Sequence, residues 1–112
     1  MDSSIFILHY LSFDEAVELP HFEKTSFRVN KKIFAVLNLK KKQATFKLSV
    51  VDQSVFCDFD SGRIWPATGA WGKQGWTIFK ITDLADEMLI DALTLSYCNV
   101  APSKLAAKYS RE

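Results

Sequence analysis

The chain predicts an α+β domain in which one antiparallel sheet of five strands carries helices on one face, in the order α-β3-α-β2-α. Three observations predict it. Residues 26–48 hold three apolar segments joined by very short polar turns, and such turns connect antiparallel neighbours. Residues 86–101 carry a long 3.6-period apolar stripe, which supplies a helix able to cover a sheet. The length of 112 residues, with 48% hydrophobic and 24% charged, fits one domain spanning 1–112.

The elements follow in order. A short helix is expected from about Ser3 to Leu11, capped by Ser3 or Ser4, with Ile5, Leu8 and Leu11 on one face. Phe13 to Thr25 reads as a loop because Pro20 and four acids interrupt any period, although Asp14 to Leu19 could hold a helical turn. Ser26–Val29 alternates as a strand. Asn30-Lys31 can form a two-residue turn, since Asn tolerates positive φ. Lys32 to Leu39 is apolar on both faces, as a central strand requires. After Lys40-Lys41-Lys42, Gln43 to Leu48 sets Ala44, Phe46 and Leu48 against Gln43, Thr45 and Lys47, giving one buried and one wet face.

Ser49 to Asp52 fits a capping box and opens a second helix, whose apolar stripe is expected at Val51, Val55, Phe56 and Phe59. Asp60-Ser61-Gly62 ends it. Arg63 to Pro66 is a short strand whose proline favours a sheet edge. Ala67 to Gly75 reads as a glycine-rich loop and Trp76 to Ile81 as the fifth strand. The longest helix runs from about Asp86 to Ala101, with Leu89, Ala92, Leu93, Ser96, Tyr97 and Val100 on its buried stripe. Pro102 breaks it, and Ser103 to Tyr109 can add a turn or two.

Charge is segregated along this chain. Lys24 to Val51 contains eight basic residues and no acid, whereas 14 basic and 13 acidic residues overall leave a net charge of only +1. A segregated positive surface attracts an anionic partner that the net charge hides. Lys31, Lys32, Lys40, Lys41 and Lys42 fall at or near the hairpin turns, and Arg28 projects from a strand. Phosphates attract such groups through Coulomb energy and counterion release. The competing reading is that these lysines solvate turn tips and protect strand edges from aggregation. The segment Trp71-Gly72-Lys73-Gln74-Gly75-Trp76 adds two indoles flanking a cationic loop. Trp71 is the better candidate for stacking on a base and Trp76 for the core, unless both fold back as a lid.

Other chemistries find little support. Cys57 and Cys98 are isolated and read as reduced, half-buried thiols in a cytoplasm. His9 and His21 do not approach a zinc ligand set, so neither metal nor cofactor is expected. His21 with Cys57 has no nucleophile motif around it, and a non-enzymatic protein is expected. Gly72-Lys73-Gln74 departs from a P-loop. No export signal or membrane span is expected.

Pro20-His21-Phe22-Glu23-Lys24-Thr25-Ser26-Phe27-Arg28-Val29 and Lys32-Ile33-Phe34-Ala35 resemble the opening of the MmcQ/YjbR-like family. Leu48-Ser49, Asp52 to Cys57, Trp71 to Trp76, Asp91-Ala92-Leu93 and Val100-Ala101-Pro102 resemble it too. The resemblance implies a fold similar to secretion chaperones, ordered α-β3-α-β2-α, and a DNA-binding role without catalytic residues. The leading expectation is therefore a nucleic-acid-binding module of low sequence specificity. Its contacts would be Lys31, Lys32, Lys40, Lys41, Lys42 and Lys73, with Arg28 and Trp71 secondary, provided these groups share one platform. The rival is a protein-interaction or chaperone-like module using the open sheet face or an edge strand. The partner is thus DNA or a protein, not a membrane, for a monomer or weak homodimer.

Overall fold

The computed structural model describes residues 10–21, 24–82 and 84–109. Six strands form one sheet: β1 (Val17–His21), β2 (Lys24–Val29), β3 (Lys32–Asn38), β4 (Gln43–Lys47), β5 (Ile64–Pro66) and β6 (Trp76–Lys80). Every pairing is antiparallel, and the order across the sheet is β1-β2-β3-β4-β6-β5. The helices are α1 (Val50–Phe59), α2 (Gly69–Lys73), α3 (Asp86–Val100) and α4 (Ser103–Ala106), followed by a 3₁₀ turn at Ala107–Tyr109. The expected first helix lies outside the described residues except for its last residues, Tyr10 and Leu11, which are helical.

The strand missing from the sequence reading is β1. Its alternation is Val17, Leu19 against Glu18, Pro20, and it pairs only with β2. Among the described residues it is an edge strand, a position that tolerates a proline such as Pro20. The expected five-strand sheet therefore has six.

Register fixes which residues share a face, because directly opposed residues point the same way. Phe27, Ala35, Phe46 and Thr77 form one row, and Leu37, Ala44, Phe79 and Ile64 another. All eight are buried, and α3 packs over this face against β3 and β4. Its inward stripe is the expected one: Leu89, Ala92, Leu93, Ser96 and Tyr97 are buried. Tyr10 packs on Phe27 with ring centroids 4.0 Å apart, and Phe56 of α1 meets Phe79 at 5.5 Å.

The β2–β3 ladder contains a bulge. Phe27 opposes Ala35, but Arg28 opposes Ile33, so Phe34 is the extra residue. Phe34 and Ala35 are both fully buried, and Phe34 meets Tyr97 edge-on at 5.3 Å. The Ser96 hydroxyl on α3 donates to the Phe34 carbonyl and accepts from the Lys47 amide at 2.7 Å. One buried hydroxyl thus ties the helix to two adjacent strands where the bulge disturbs the ladder.

A clasp closes the same end. Tyr97 donates to the Asp14 carbonyl at 2.7 Å, while Lys108 and Tyr109 hold the Asp14 carboxylate at 2.5 and 3.2 Å. Burial pushes the Tyr97 hydroxyl up to about 12, so it remains a donor at neutral pH.

Two local expectations change. Ser49 caps α1 as expected, its hydroxyl accepting from the Asp52 amide at 3.0 Å. The stripe does not: Val51, Val55 and Phe59 are 73%, 63% and 69% exposed, and the inward residues are Gln53, Phe56 and Cys57. This helix leans on the β5 edge, where a polar Gln is held by two carbonyls and the valines have nothing to cover. The loop expected at Ala67 to Gly75 contains α2, a five-residue helix too short to show an apolar period.

Candidate functional site

Among the described residues, the second face of the sheet carries no helix as long as α3, and its composition follows from the same register. Leu19, Ser26, Val36, Thr45, Ile78 and Trp65 lie in one row across all six strands. Arg28 opposes Val17, Lys47 opposes Trp76, Lys80 opposes Gln43, and Lys24 opposes His21. Four cations therefore stand in rows flanking an apolar centre. Among the described residues, the only acid in a strand is Glu18, and it opposes Phe27 on the helix-covered side. The other described acids lie outside the strands: Asp52 and Asp58 on α1, Asp86, Glu87 and Asp91 on α3, Asp14, Glu15 and Asp60 in connections. The described residues are thus sorted by charge in layers, with a sheet face free of described acids opposite acidic helices.

Among the described residues, the ion pairs Asp60–Arg63 at 2.8 Å and Asp14–Lys108 at 2.5 Å involve none of these four cations. Arg28 Nε donates to the Ser26 hydroxyl at 3.1 Å, and that hydroxyl donates to the Leu19 carbonyl at 3.0 Å. This chain holds the guanidinium against the face and anchors the β1 edge. The Lys47 ammonium donates to the Gln74 carbonyl, which ties β4 to the end of α2.

The segment 67–75 forms the wall of this face. Gln53 donates from one amide nitrogen to the Gly72 carbonyl at 3.0 Å and the Trp76 carbonyl at 3.1 Å. At Gly72 a Cβ would lie 1.9 Å from the Ala67 carbonyl oxygen, so only glycine permits the close approach of α2 to the chain leaving β5. Gly75 has φ +103° and turns the chain into β6. The indole of Trp71 packs on that of Trp76 with centroids 4.9 Å apart and planes at 42°. Trp76 is 7% exposed and Trp71 46%, as their positions implied. The pair covers the sheet's second face rather than forming a lid on the core. An open-sided groove of about 430 Å³ runs beside them, floored by Val36, Thr45 and Ile78, walled by Ala67, Thr68 and Trp71, and bounded by Lys24.

The residues singled out in the sequence are divided by this geometry. Lys31 and Lys32 lie at the start of β3, and Lys40, Lys41 and Lys42 beyond its far end. Seven residues of strand separate the two turns, roughly 23 Å. The turn tips do not form the common platform expected of them, because a hairpin meander places successive turns at alternate ends. Lys24 and Lys80 accompany the Lys40–Lys42 turn, whereas Arg28 and Lys47 accompany Lys31 and Lys32. Lys73, exposed in the last turn of α2, adjoins the Lys47 end through Gln74. The acid-free face is what connects the two groups. Lys24, Lys80, Thr45, Thr68 and Gln53 were not anticipated as site residues. The signal for Lys24, Thr45 and Lys80 was their position opposite the core residues in each strand's alternation.

Turning to catalytic chemistry, burial and then the Asp58 charge push the Cys57 thiol up, so it stays protonated at neutral pH. Cys57 lies on α1 beside β5, and His21 ends β1, at opposite edges of the sheet. His9 lies outside the described residues. Among those residues, no three His, Cys, Asp or Glu side chains gather as a metal site, and no helix is long and apolar enough to cross a membrane.

The family model YjbR matches residues 11–99. A crystal structure of Deinococcus radiodurans protein DR2400, described by its domain DUF419, is similar in fold. The two align with a TM-score of 0.78 and 14% identity, over 95% of this chain and 86% of that one. No curated protein matches the chain.

Proposed function

The chain belongs to the YjbR family, and we propose that it is a non-enzymatic nucleic-acid-binding module, directed to DNA with low sequence specificity. The observation that carries this reading is the open sheet face, which holds no acid among the described residues. Lys24, Arg28, Lys47 and Lys80 flank an apolar row on it, while the described helix acids sit on the other side of the sheet. A polyanion gains Coulomb energy and releases counterions along the whole face, and it meets no like charge from the strands. Lys31 and Lys32 at one end, Lys40, Lys41 and Lys42 at the other, and Lys73 beside Trp71 extend the cationic path past both margins. Low specificity is in keeping with the described residues, among which the helix on this face, Gly69–Lys73, is too short to read a major groove. The free thiols Cys57 and Cys98 suit a reducing cytoplasm.

Titration of a labelled oligonucleotide at two salt concentrations tests the proposal. Neutralising about four phosphates gives a log–log slope near −3.6 on duplex DNA and near −2.8 on a single strand. Reversing Lys24 and Lys80 to Glu should weaken binding far more than reversing Lys104, which lies on α4. Affinity indifferent to salt, or unaltered by the Lys24 and Lys80 reversals, would defeat the reading.

A second reading has its own support. Among the described residues no strand pairs with the outer edge of β1, where Val17 and Leu19 are exposed, so an extended peptide could add as a further strand there. Capture of a protein that survives nuclease treatment and is lost on Leu19→Lys would favour it.

A further inference from the structure

We infer that the groove beside Trp71 is a subsite for one unstacked base of single-stranded DNA, with Lys24 taking the adjoining phosphate. The inference rests on the nucleic-acid reading above and deepens it, by naming the strand state and the contact that selects it.

Four features converge on this occupant. The first is size and shape: about 430 Å³ falls within the roughly 300–1,000 Å³ of small-molecule sites, and the groove is open along one side so that a chain can enter and leave. The second is a rigid aromatic wall. Trp71 is 46% exposed yet braced from behind by Trp76, while Gln53 and the Gly72–Ala67 approach fix the turn that carries it. A flat surface that is fixed before binding loses little freedom when a base stacks on it.

The third feature is the polar complement. Thr68 is the N-cap of α2, a position whose hydroxyl ordinarily accepts from the helix backbone, yet it makes no such bond and lines the groove instead. Thr45 places a second hydroxyl on the floor between Val36 and Ile78. Hydroxyls can donate or accept, so they meet the edge of any base without selecting one. The fourth is charge. Among the described residues, Lys24 is the lining cation and no acid lines the groove. An apolar peptide side chain would leave these hydroxyls and the ammonium without partners, whereas a neutral ring joined to a phosphate uses all three. Bases in a duplex are stacked and paired, so only a single strand offers such a ring.

The test compares an eight-residue oligothymidylate with an abasic oligomer of equal length and charge, at one salt concentration, by anisotropy. The base-bearing strand should bind about tenfold more tightly. Trp71→Ala should bring it to the abasic level, and Trp71→Phe should retain most of the difference. A readout that needs no variant is indole fluorescence, which oligothymidylate should quench and the abasic strand should not. Lys24→Ala should reduce the salt slope for both strands by about 0.7. Equal affinity and equal quenching by the two strands would overturn the base subsite while leaving the electrostatic face intact. Absence of salt-dependent binding to either strand would overturn the nucleic-acid reading and this inference together.

Discussion

Replacing Ser96 by Ala isolates the bond that joins the helix layer to the sheet. The hydroxyl is buried and serves two backbone groups, donating to the Phe34 carbonyl and accepting from the Lys47 amide at 2.7 Å. Both lie beside the bulge, where Arg28 pairs with Ile33 and Phe34 is skipped. A buried backbone group left unpaired costs about 1–3 kcal/mol, so two should cost roughly 2–6 kcal/mol, the missing oxygen itself adding little. Against a total of about 5–15 kcal/mol for a small domain this is a large fraction. At about 4 °C per kcal/mol, Tm should fall by at least about 8 °C. Urea denaturation monitored by circular dichroism measures the loss, and amide exchange at Lys47 localises it. Thr94→Ala is the control, because that hydroxyl only returns to its own helix at the Ile90 carbonyl and should change stability by less than about 0.5 kcal/mol. A Ser96→Ala protein within about 0.5 kcal/mol of the parent would show that the bulge is not held in this way.

Further outcomes follow from single contacts. Gly75→Ala combines φ +103° with a Cβ 1.9 Å from the Leu48 carbonyl oxygen and should cost roughly 2–5 kcal/mol by urea unfolding. Val51→Ser and Phe59→Ser, by contrast, should each stay within about 0.5 kcal/mol, because both side chains already face solvent. The Asp14 carboxyl is held below its ordinary value first by the hydrogen bond from Lys108 and then by that from Tyr109. A depressed folded value means the clasp's contribution is complete above the unfolded value of about 3.9 and fades as pH falls through the folded one. The acid limb of a urea-midpoint profile should therefore be shallower in Asp14→Asn. It should not vanish, since Asp60 is lowered in the same direction by Arg63.

Local signals and long-range ones were legible to different degrees. The stripe of α3 was readable because a fifteen-residue helix repeats its pattern often enough to fix one face. The Asn30-Lys31 turn was readable from chemistry: both residues adopt positive φ, at 51° and 67°. β1 was hidden because an edge strand tolerates the proline and acid that argue against strands elsewhere. In α1 three of the four expected apolar positions face outward and only Phe56 turns in; Gln53, the residue that anchors the Trp71 wall, gave no signal because a polar side chain does not mark an apolar stripe. The clustering of lysines along the sequence was plain, yet a meander sends alternate turns to opposite ends, so proximity in sequence did not become proximity in space. What the sequence held without displaying was the layer sorting of charge. It appears only when each strand's non-core positions are aligned by register, which brings Lys24, Arg28, Lys47 and Lys80 to one face and leaves Glu18 on the other.

Chemical-shift mapping of the isotopically labelled protein, titrated with a short single-stranded oligonucleotide, tests the assignment of that face most directly. Amide and methyl signals of Ser26, Val36, Thr45, Ile78 and the Trp71 indole should move together and saturate at one concentration, while Val51, Val55 and the exposed residues of α3 stay still. Shifts confined to the helix side, or confined to the two lysine turns with the central row unmoved, would contradict a sheet face that binds polyanions.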